Sequence, residues 1–265
     1  MSSSQTVAPP QRALQPGRLR PALLVAALAP LLLFVGIAWF DYRLEVSRTR
    51  EHAAATADAL AKHAQKVVET VDLVLARILD HVQALDWATI GAPADVHVFL
   101  LELKRELPQL ESAFLVSPEG INVASSRIFP IPRIDVSRRE YFIHALEGGN
   151  GPFFSEPFKG QIAGTYAFTI TRARLKDGRF DGLVGVTISS PYFQAFYRAV
   201  AGHPDESSAA LMRDDGVLLV RSPSLPDQPV RVSPRSRLLQ AASSGARSAR
   251  LLPPETLPGL TCDDR

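Results

Sequence analysis

The sequence has a single cysteine, Cys262, and it stands close to the C-terminus. One thiol excludes an intrachain disulfide and a cysteine-based metal site. The chain also lacks an excess of charge of one sign, because its formal net charge is only +2 and basic residues are scattered among acidic ones. Proteins that bind nucleic acid concentrate positive charge on one face, so we expect no nucleic-acid partner.

Sequence motifs of enzyme chemistry are missing as well. The histidines stand in unrelated contexts, with no nucleophile elbow, metal-binding pair or phosphate-binding loop around them. We therefore predict that the chain is not an enzyme, and we expect no cofactor and no metal. The six histidines are His52, His63, His81, His97, His144 and His203.

Charged residues are absent from Pro21–Phe40, and acidic residues are absent from residues 1–20 before it. About 20 helical residues at roughly 1.5 Å each span a hydrocarbon layer of about 30 Å. We interpret Pro21–Phe40 as an uncleaved transmembrane helix that follows a cytoplasmic tail at 1–20. A cleaved signal peptide is the alternative, but the apolar run is long for one and does not end in a small-residue cleavage site.

Glycine and proline are absent between Asp41 and Leu85. Apolar residues recur there at steps of three or four, which predicts a helix about 60 Å long with one apolar face. The weaker first half is interpreted as a dimer seam, so a homodimer is expected, and a free coiled coil is the alternative. The apolar face consists of Leu60, Ala64, Val67, Val71, Val74, Ile78, Val82 and Leu85.

Shorter elements follow and place the chain in the α+β class. We predict a helix at Val96–Leu107 and then two strands, Ser112–Val116 and Ile121–Ser125, joined by a turn that contains proline and glycine. A second short helix is predicted from Ser137 to Leu146, and Gly148 ends it.

A hairpin is the next predicted element. Residues 165–175 alternate apolar and polar side chains, which predicts a half-buried strand, and Asp177-Gly178 is a turn signal. Residues 180–189 form the returning strand, and Phe153–Phe158 is a further short aromatic strand. A connecting helix is predicted at Pro191–Val200.

The first hairpin pattern occurs twice. Ser112, Leu115 and Gly120 match Ser208, Leu211 and Gly216 at an offset of about 96 residues, which predicts two tandem modules. The long helix and the first module occupy 41–202, and the second module occupies 203–250. The chain stops before this second module would be complete, and residues 251–265 lack a strand pattern, so we interpret the sequence as a truncated or frame-shifted product.

The start of the helix at 137–146 is both cationic and aromatic. An arginine can form two hydrogen bonds to a carboxylate while aromatic rings exclude water, so this segment suits a small anionic or zwitterionic ligand. The alternative is structural: the rings belong to the core, and an arginine pairs with a nearby glutamate. The residues concerned are Arg138, Arg139, Tyr141 and Phe142, with Glu140, Glu147 and Glu156 as the acids.

Together, the membrane helix, the long helix, the repeated hairpin, Arg139-Glu140-Tyr141-Phe142 and Gly185-Val186-Thr187 resemble the double Cache (PAS-like periplasmic) sensor domain. The resemblance implies tandem PAS-like antiparallel modules, the second incomplete. It also implies a sensor in the periplasm, held by a single span in the bacterial inner membrane. The implied protein is a signal transducer of the diguanylate cyclase, histidine kinase or chemoreceptor kind, without its output domain here. A stand-alone membrane-anchored binding or dimerising protein is the alternative.

The resemblance also implies a ligand site. The amino-acid-binding version has an arginine, a spacer and two aromatic residues, which match Arg139, Tyr141 and Phe142, and an aspartate on the last strand, where Thr187 stands here. A neutral hydroxyl cannot neutralise an ammonium group, so the implied ligand is a small carboxylate rather than a standard α-amino acid. The predicted ligand contacts are Arg139, Tyr141, Phe142, Phe153, Tyr166 and Thr187.

Overall fold

The computed structural model describes residues 16–91, 94–149, 151–159, 166–201, 208–222 and 230–244, without the side chains of 16–27, 29, 166 and 201. Its helices and strands, in chain order, are α1 Pro16–Val82, α2 Trp87–Gly91, α3 Ala94–Glu106, β1 Leu110–Val116, β2 Ile121–Ser125, β3 Ile134–Asp135, α4 Glu140–Leu146, β4 Phe153–Phe154, β5 Phe158–Lys159, β6 Tyr166–Lys176, β7 Arg179–Ser189, α5 Ser190–Ala201, β8 Ala209–Met212, β9 Leu218–Ser222 and α6 Arg237–Ser243. The chain divides into two compact units, residues 1–55 and 56–265. The predicted α+β class is confirmed.

Helix α1 includes both segments that the sequence predicted as helical. Among the residues that the structure describes, no helix meets the length and apolarity of a membrane span. The transmembrane interpretation of 21–40 therefore stays a prediction. In the second unit the predicted apolar face is buried: Val71, Ile78 and Val82 are fully shielded from solvent, as is Leu75 beside them.

Seven strands form one antiparallel sheet in the order β3-β2-β1-β7-β6-β4, and β5 also pairs with β6. Side chains of β6 and β7 alternate between its two faces, as the sequence predicted. Phe168 and Ile170 of β6 pack with Val186 of β7 into the main core, which α1, α3 and α5 complete. Asp177 and Gly178 have φ angles of 52° and 74°, which confirms the predicted tight turn between the two strands.

Two predictions about these strands need correction. Strand β6 is buried on both faces, not half-buried, since the polar members Thr169 and Thr171 are each 1% exposed. The predicted single strand Phe153–Phe158 is two short strands, β4 and β5, which both pair with β6. Pro157 lies between them and has no N–H to donate, which interrupts the ladder.

The repeated hairpin is also present. We call β1–β2 the first hairpin and β8–β9 the second hairpin. The second hairpin forms its own two-stranded sheet, with an isolated bridge from Val217 to Arg231. The division into tandem modules stays a prediction, and residues 251–265 lie outside the described part of the chain.

Candidate functional site

A row of hydroxyl groups crosses three adjacent strands on the sheet face opposite the main core. Thr187 of β7 is paired with Thr169 of β6 on one side and with Ser112 of β1 on the other. The Ser112 hydroxyl donates to Thr187 Oγ1 at 2.9 Å. Strand register therefore aligns the three hydroxyls at the floor of a cavity, which all three residues line.

The start of α4 and strand β5 supply cationic and aromatic groups to the same cavity. Arg139 is the N-cap residue of α4, and its guanidinium carbon lies 4.9 Å from the centroid of the Phe158 ring. Tyr141 is 4% exposed. Burial raises the pKa of Tyr141 to about 12, with the Arg139 charge acting in the opposite direction. The phenol is therefore protonated at neutral pH and can donate a hydrogen bond.

An ion pair forms one wall of the cavity. Arg127 Nη1 lies 2.8 Å from Glu111 Oε1, and their side chains are 27% and 16% exposed. Of the described residues that line the cavity, Glu111 is the only acid. The carboxylate thus already has a cationic partner.

The remaining lining is apolar or carries neutral polar groups. The centres of water-sized molecules can reach about 90 Å³ of the cavity, so it suits a small ligand. Small-molecule sites are mostly apolar with a few placed polar groups. The further lining residues are Phe114, Asn122, Ser125, Ile134, Val136 and Ala167.

Two buried polar atoms of the lining have no hydrogen-bond partner among the described residues. They are Thr169 Oγ1 and Asn122 Oδ1. Buried polar groups in native proteins are paired in the large majority of cases. These two oxygens are left for a ligand to pair with, but a ligand must displace neighbouring lining atoms to reach them, because each has almost no exposed area.

Three of the six predicted ligand contacts, Arg139, Tyr141 and Thr187, line the cavity. Phe142 and Phe153 are not among the described lining residues. The Phe142 ring packs edge-on against Phe180 with centroids 5.6 Å apart, and Phe153 stacks on His144 at 4.3 Å. Both rings belong to a smaller apolar cluster that includes α4, and their role as ligand contacts stays a prediction. The side chain of Tyr166 lies outside the described part of the structure.

Sequence reasoning missed six polar lining residues. The signal for Thr169 was present, since it alternates with Phe168 and Ile170 and so shares a face with the cavity. Ser112 and Asn122 required the register between strands, and the Glu111–Arg127 pair required the geometry of β1 beside the loop after β2. The missed residues are Glu111, Ser112, Asn122, Ser125, Arg127 and Thr169.

The acids near α4 bind other arginines, not Arg139. Arg213 of the second hairpin lies 3.0 Å from Glu140 and 2.7 Å from Asp215. Arg231 lies 2.8 Å from Asp215 and also pairs with Glu156. The backbone N–H of Glu156 donates to Glu140 Oε2 at 3.0 Å, which closes the ring of contacts. We call these residues the ion-pair network.

The network shifts the pKa values of its members. Hydrogen bonding from Arg213 holds the pKa of Asp215 well below its usual range. The hydrogen bond to Asp215 raises the pKa of Arg213 above its usual value. Because the network occupies Glu140 and Glu156, Arg139 has no ion-pair partner among the described residues. Those residues also include no group of three or more side chains that could hold a metal ion.

Comparisons with known proteins place this fold. No protein-family model and no curated protein sequence matches the chain. Among solved structures, the chain is similar to the extracellular domain of rpHK1S-Z16, which is designated a histidine kinase. The two share 28% identity, the match covers 71% of this chain and 75% of that chain, and the TM-score is 0.60. An extracellular ligand binding receptor from Desulfohalobium retbaense matches with 16% identity, 70% of this chain and 33% of that one covered, and a TM-score of 0.53.

A third match is the ligand-binding domain of the Pseudomonas fluorescens chemoreceptor CtaA in complex with L-serine. It has 21% identity, covers 64% of this chain and 69% of that one, and has a TM-score of 0.48. The resemblance to the Cache sensor domain rests on the first of these matches, which is the highest in both identity and TM-score of the three. The chain has the fold of the extracellular domain of that histidine kinase, which is consistent with the resemblance to a Cache sensor domain.

Proposed function

We propose that this chain is the extracytoplasmic sensor region of a bacterial membrane signal transducer, and that its cavity binds a small carboxylate. The observation that carries the proposal is Arg139, a cavity-lining guanidinium beside an aromatic ring and without an ion-pair partner among the described residues. A guanidinium in such a position is suited to a carboxylate, because charge-assisted hydrogen bonds are the stronger kind and the ring limits competition from water. Tyr141 forms a wall beside it, and Thr187 supplies a neutral hydroxyl from the floor.

Membrane anchoring through 21–40 belongs to the same proposal. Large apolar side chains of this segment are highly exposed in the first unit, for example Leu32 at 68% and Phe34 at 71%. At its end, the Arg43 guanidinium lies 5.1 Å from the centroid of the Trp39 ring, an arrangement suited to a membrane interface. A reporter enzyme fused after Arg50 should be active in the periplasm and silent in the cytoplasm. Cytoplasmic activity would reverse the proposed topology.

The expected output is of the histidine kinase or diguanylate cyclase type, and the expected assembly is a homodimer through α1. Helical dimer seams of this kind carry a shift from one end of a domain to the other. Disulfide crosslinking of single cysteines placed along residues 44–58, in a Cys262→Ser background, should give a periodic pattern of dimers. An absence of any such period would remove α1 as the seam.

The experiment on the site is a thermal-shift screen of small carboxylates against the full chain in detergent, followed by titration of variants. Arg139→Ala should weaken binding of the best ligand by about 1.5–3 kcal/mol, the range for hydrogen bonds to charged groups. Thr187→Ala should cost less, roughly 0.5–1.5 kcal/mol, because its hydrogen bond is neutral. Arg138→Ala is the matched control, since Arg138 is exposed and outside the described lining. Unchanged affinity in a folded Arg139→Ala protein would refute the proposed site.

A further inference from the structure

The charged residues of the cavity lining limit the net charge of the ligand that the cavity can bind. Glu111 and Arg127 neutralise each other at 2.8 Å, with side chains that are mostly shielded from solvent. Among the described lining residues this leaves Arg139 as the one charge without an opposite partner. One negative charge on a ligand would therefore neutralise the charge of Arg139. A positive charge on the ligand would find the acid of the described lining already paired with Arg127.

The buried oxygens bear on which other groups the ligand has. An amide oxygen such as Asn122 Oδ1 only accepts hydrogen bonds, so its partner must be a donor. A hydroxyl such as Thr169 Oγ1 can accept or donate. Both atoms are buried and unpartnered in the described part of the chain. A plain carboxylate offers only acceptors, so it would leave Asn122 Oδ1 unpaired at the cost of its desolvation.

We infer that the cavity binds a small hydroxycarboxylate in preference to the matching amino acid, and that Arg127 sets this preference by occupying Glu111. This inference rests on the proposed function, since it refines the ligand of the same cavity. A hydroxyl group donates to Asn122 without adding charge. An ammonium group would donate equally well, but its positive charge would have to compete with Arg127 for the one acid of the described lining. The preference thus depends on repulsion between an ammonium group and Arg127 as much as on the hydrogen bond from a hydroxyl group to Asn122.

Isothermal titration of the full chain with matched pairs tests the preference. Each pair shares one carbon skeleton and differs only in hydroxyl against ammonium, as in L-lactate with L-alanine and L-phenyllactate with L-phenylalanine. The hydroxy acid of at least one pair should bind more tightly by about tenfold, which corresponds to roughly 1.4 kcal/mol. Propionate and phenylpropionate, which lack the donor, should bind more weakly than the hydroxy acids.

Two variants with opposite expected signs test the role of Arg127. Arg127→Gln removes the cation that lies 2.8 Å from Glu111 and should shift the affinity ratio toward the amino acid by about tenfold. Glu111→Gln removes the acid and leaves Arg127 unpaired, so it should shift the ratio further toward the hydroxy acid. Arg127→Lys keeps the charge and should keep the wild-type ratio. Arg138→Gln is the matched control: it removes the same charge from an exposed position outside the described lining and should leave the ratio unchanged.

The outcomes separate this inference from the proposed function. Equal or tighter binding of the amino acids by the wild-type chain would overturn the inference and leave a carboxylate site in place. So would a ratio that neither Arg127→Gln nor Glu111→Gln moves, or hydroxy acids that bind no better than their deoxy counterparts. Failure of every carboxylate in the screen would overturn the proposed function, and the inference with it. If Arg127→Gln does not fold, the Glu111→Gln titration decides by its direction.

Discussion

The first and second hairpins have the same backbone frame but differ in the side chains they carry, and the first borders the cavity described above. Gly216 stands 96 residues after Gly120, and both have positive φ angles, 92° and 79°. The carbonyl of each glycine accepts a hydrogen bond from a valine N–H at 2.8 Å, Val136 in the first case and Val232 in the second. The two turns are thus built by the same local contacts.

The side chains on the two frames differ. Asn122 of the first hairpin faces the cavity, and Leu218 at the equivalent position packs with Val232 and Leu239 into a small apolar cluster. The first hairpin also pairs with β7 and so continues into the seven-stranded sheet. The shared backbone frame therefore does not by itself determine whether a hairpin carries polar lining residues or an apolar cluster, which is the general relation between fold and function.

The largest expected effect comes from the two turn glycines. A Cβ at Gly120 would lie 2.7 Å from the Ser137 Cα, which is backbone, whereas one at Gly216 would meet the flexible end of Leu239 and the Val232 carbonyl at 2.8 Å. Gly120→Ala should lower the free energy of unfolding by about 3–5 kcal/mol, since left-handed strain and a backbone clash add. Gly216→Ala should cost less, about 1–3 kcal/mol, on the same grounds.

Urea denaturation followed by circular dichroism measures both changes. Gly178→Ala is the control, because its φ of 74° is similar and nothing lies within 4 Å of the new Cβ. It should show the strain alone, about 1–2 kcal/mol. A Gly120→Ala protein no less stable than Gly178→Ala would show that the first turn is not constrained by its neighbours.

The next largest effect is expected when Asn122 and Leu218, the equivalent residues of the two hairpins, are each replaced by the other residue type. Leu218 is 4% exposed, so Leu218→Asn should lower the free energy of unfolding by about 2–4 kcal/mol through lost packing and a buried amide. Asn122→Leu should leave stability unchanged or raise it, because it removes a buried unpaired oxygen, yet it should abolish ligand binding. Denaturation and thermal-shift titration of both variants give the two readouts. If Asn122→Leu bound its ligand normally, the amide would have no part in the site.

A smaller effect is expected from Arg213, which links the second hairpin to α4. Its side chain is 15% exposed and contacts both Glu140 and Asp215. Arg213→Gln should lower the free energy of unfolding by about 1–2 kcal/mol, less than the full value for buried charged hydrogen bonds because the acids are partly solvated. Hydrogen exchange should quicken in β8–β9 and stay slow in β1–β2. Lys62→Gln, which breaks an exposed ion pair with Asp58, is the control and should change neither.

The smallest expected effect is the loss of folding stability at low pH. A hydrogen bond from Arg213 is the main cause that lowers the pKa of Asp215. A hydrogen bond with Ser117 is the main cause that lowers the pKa of Glu119, the equivalent residue of the first hairpin. A lowered pKa in the folded state adds stability above the unfolded value of about 4, and this contribution is lost as pH falls through the folded pKa. The stability gap between wild type and Asp215→Asn should therefore narrow between about pH 5 and pH 2. The gap for Glu119→Gln should be smaller throughout. A wider gap at low pH would contradict the sign of the Asp215 shift.

Local patterns predicted most of the fold. The apolar steps of α1, the Asp177-Gly178 turn and the repeated glycines each act over a few residues, so their structural consequences are readable from the chain. The break at Pro157 and the burial of both faces of β6 were not, because they depend on what packs across the sheet from distant segments. These are tertiary effects that override local pattern.

The site was predicted only in part for the same reason. Arg139 and Tyr141 share one helix start, and their resemblance to a known motif located them. The hydroxyl row of Ser112, Thr169 and Thr187 depends on register across three strands, and no short segment contains it. Phe142 follows Tyr141 on the same helix, so its ring points away from the side that Tyr141 faces, and its role in binding stays a prediction.

The most direct measurement of the central claim uses Thr169→Val, which replaces a buried unpartnered hydroxyl by a methyl of similar size. If the Thr169 hydroxyl forms a hydrogen bond with the ligand, its removal should weaken binding of the best carboxylate by roughly 0.5–1.5 kcal/mol. The same change should raise the stability of the ligand-free chain by about 1 kcal/mol, because a buried unpaired group is removed. Thermal melting and titration of one preparation give both values, with Thr171→Val on the same strand as control. A purely structural hydroxyl would move stability down and leave affinity unchanged, and that result would contradict the account.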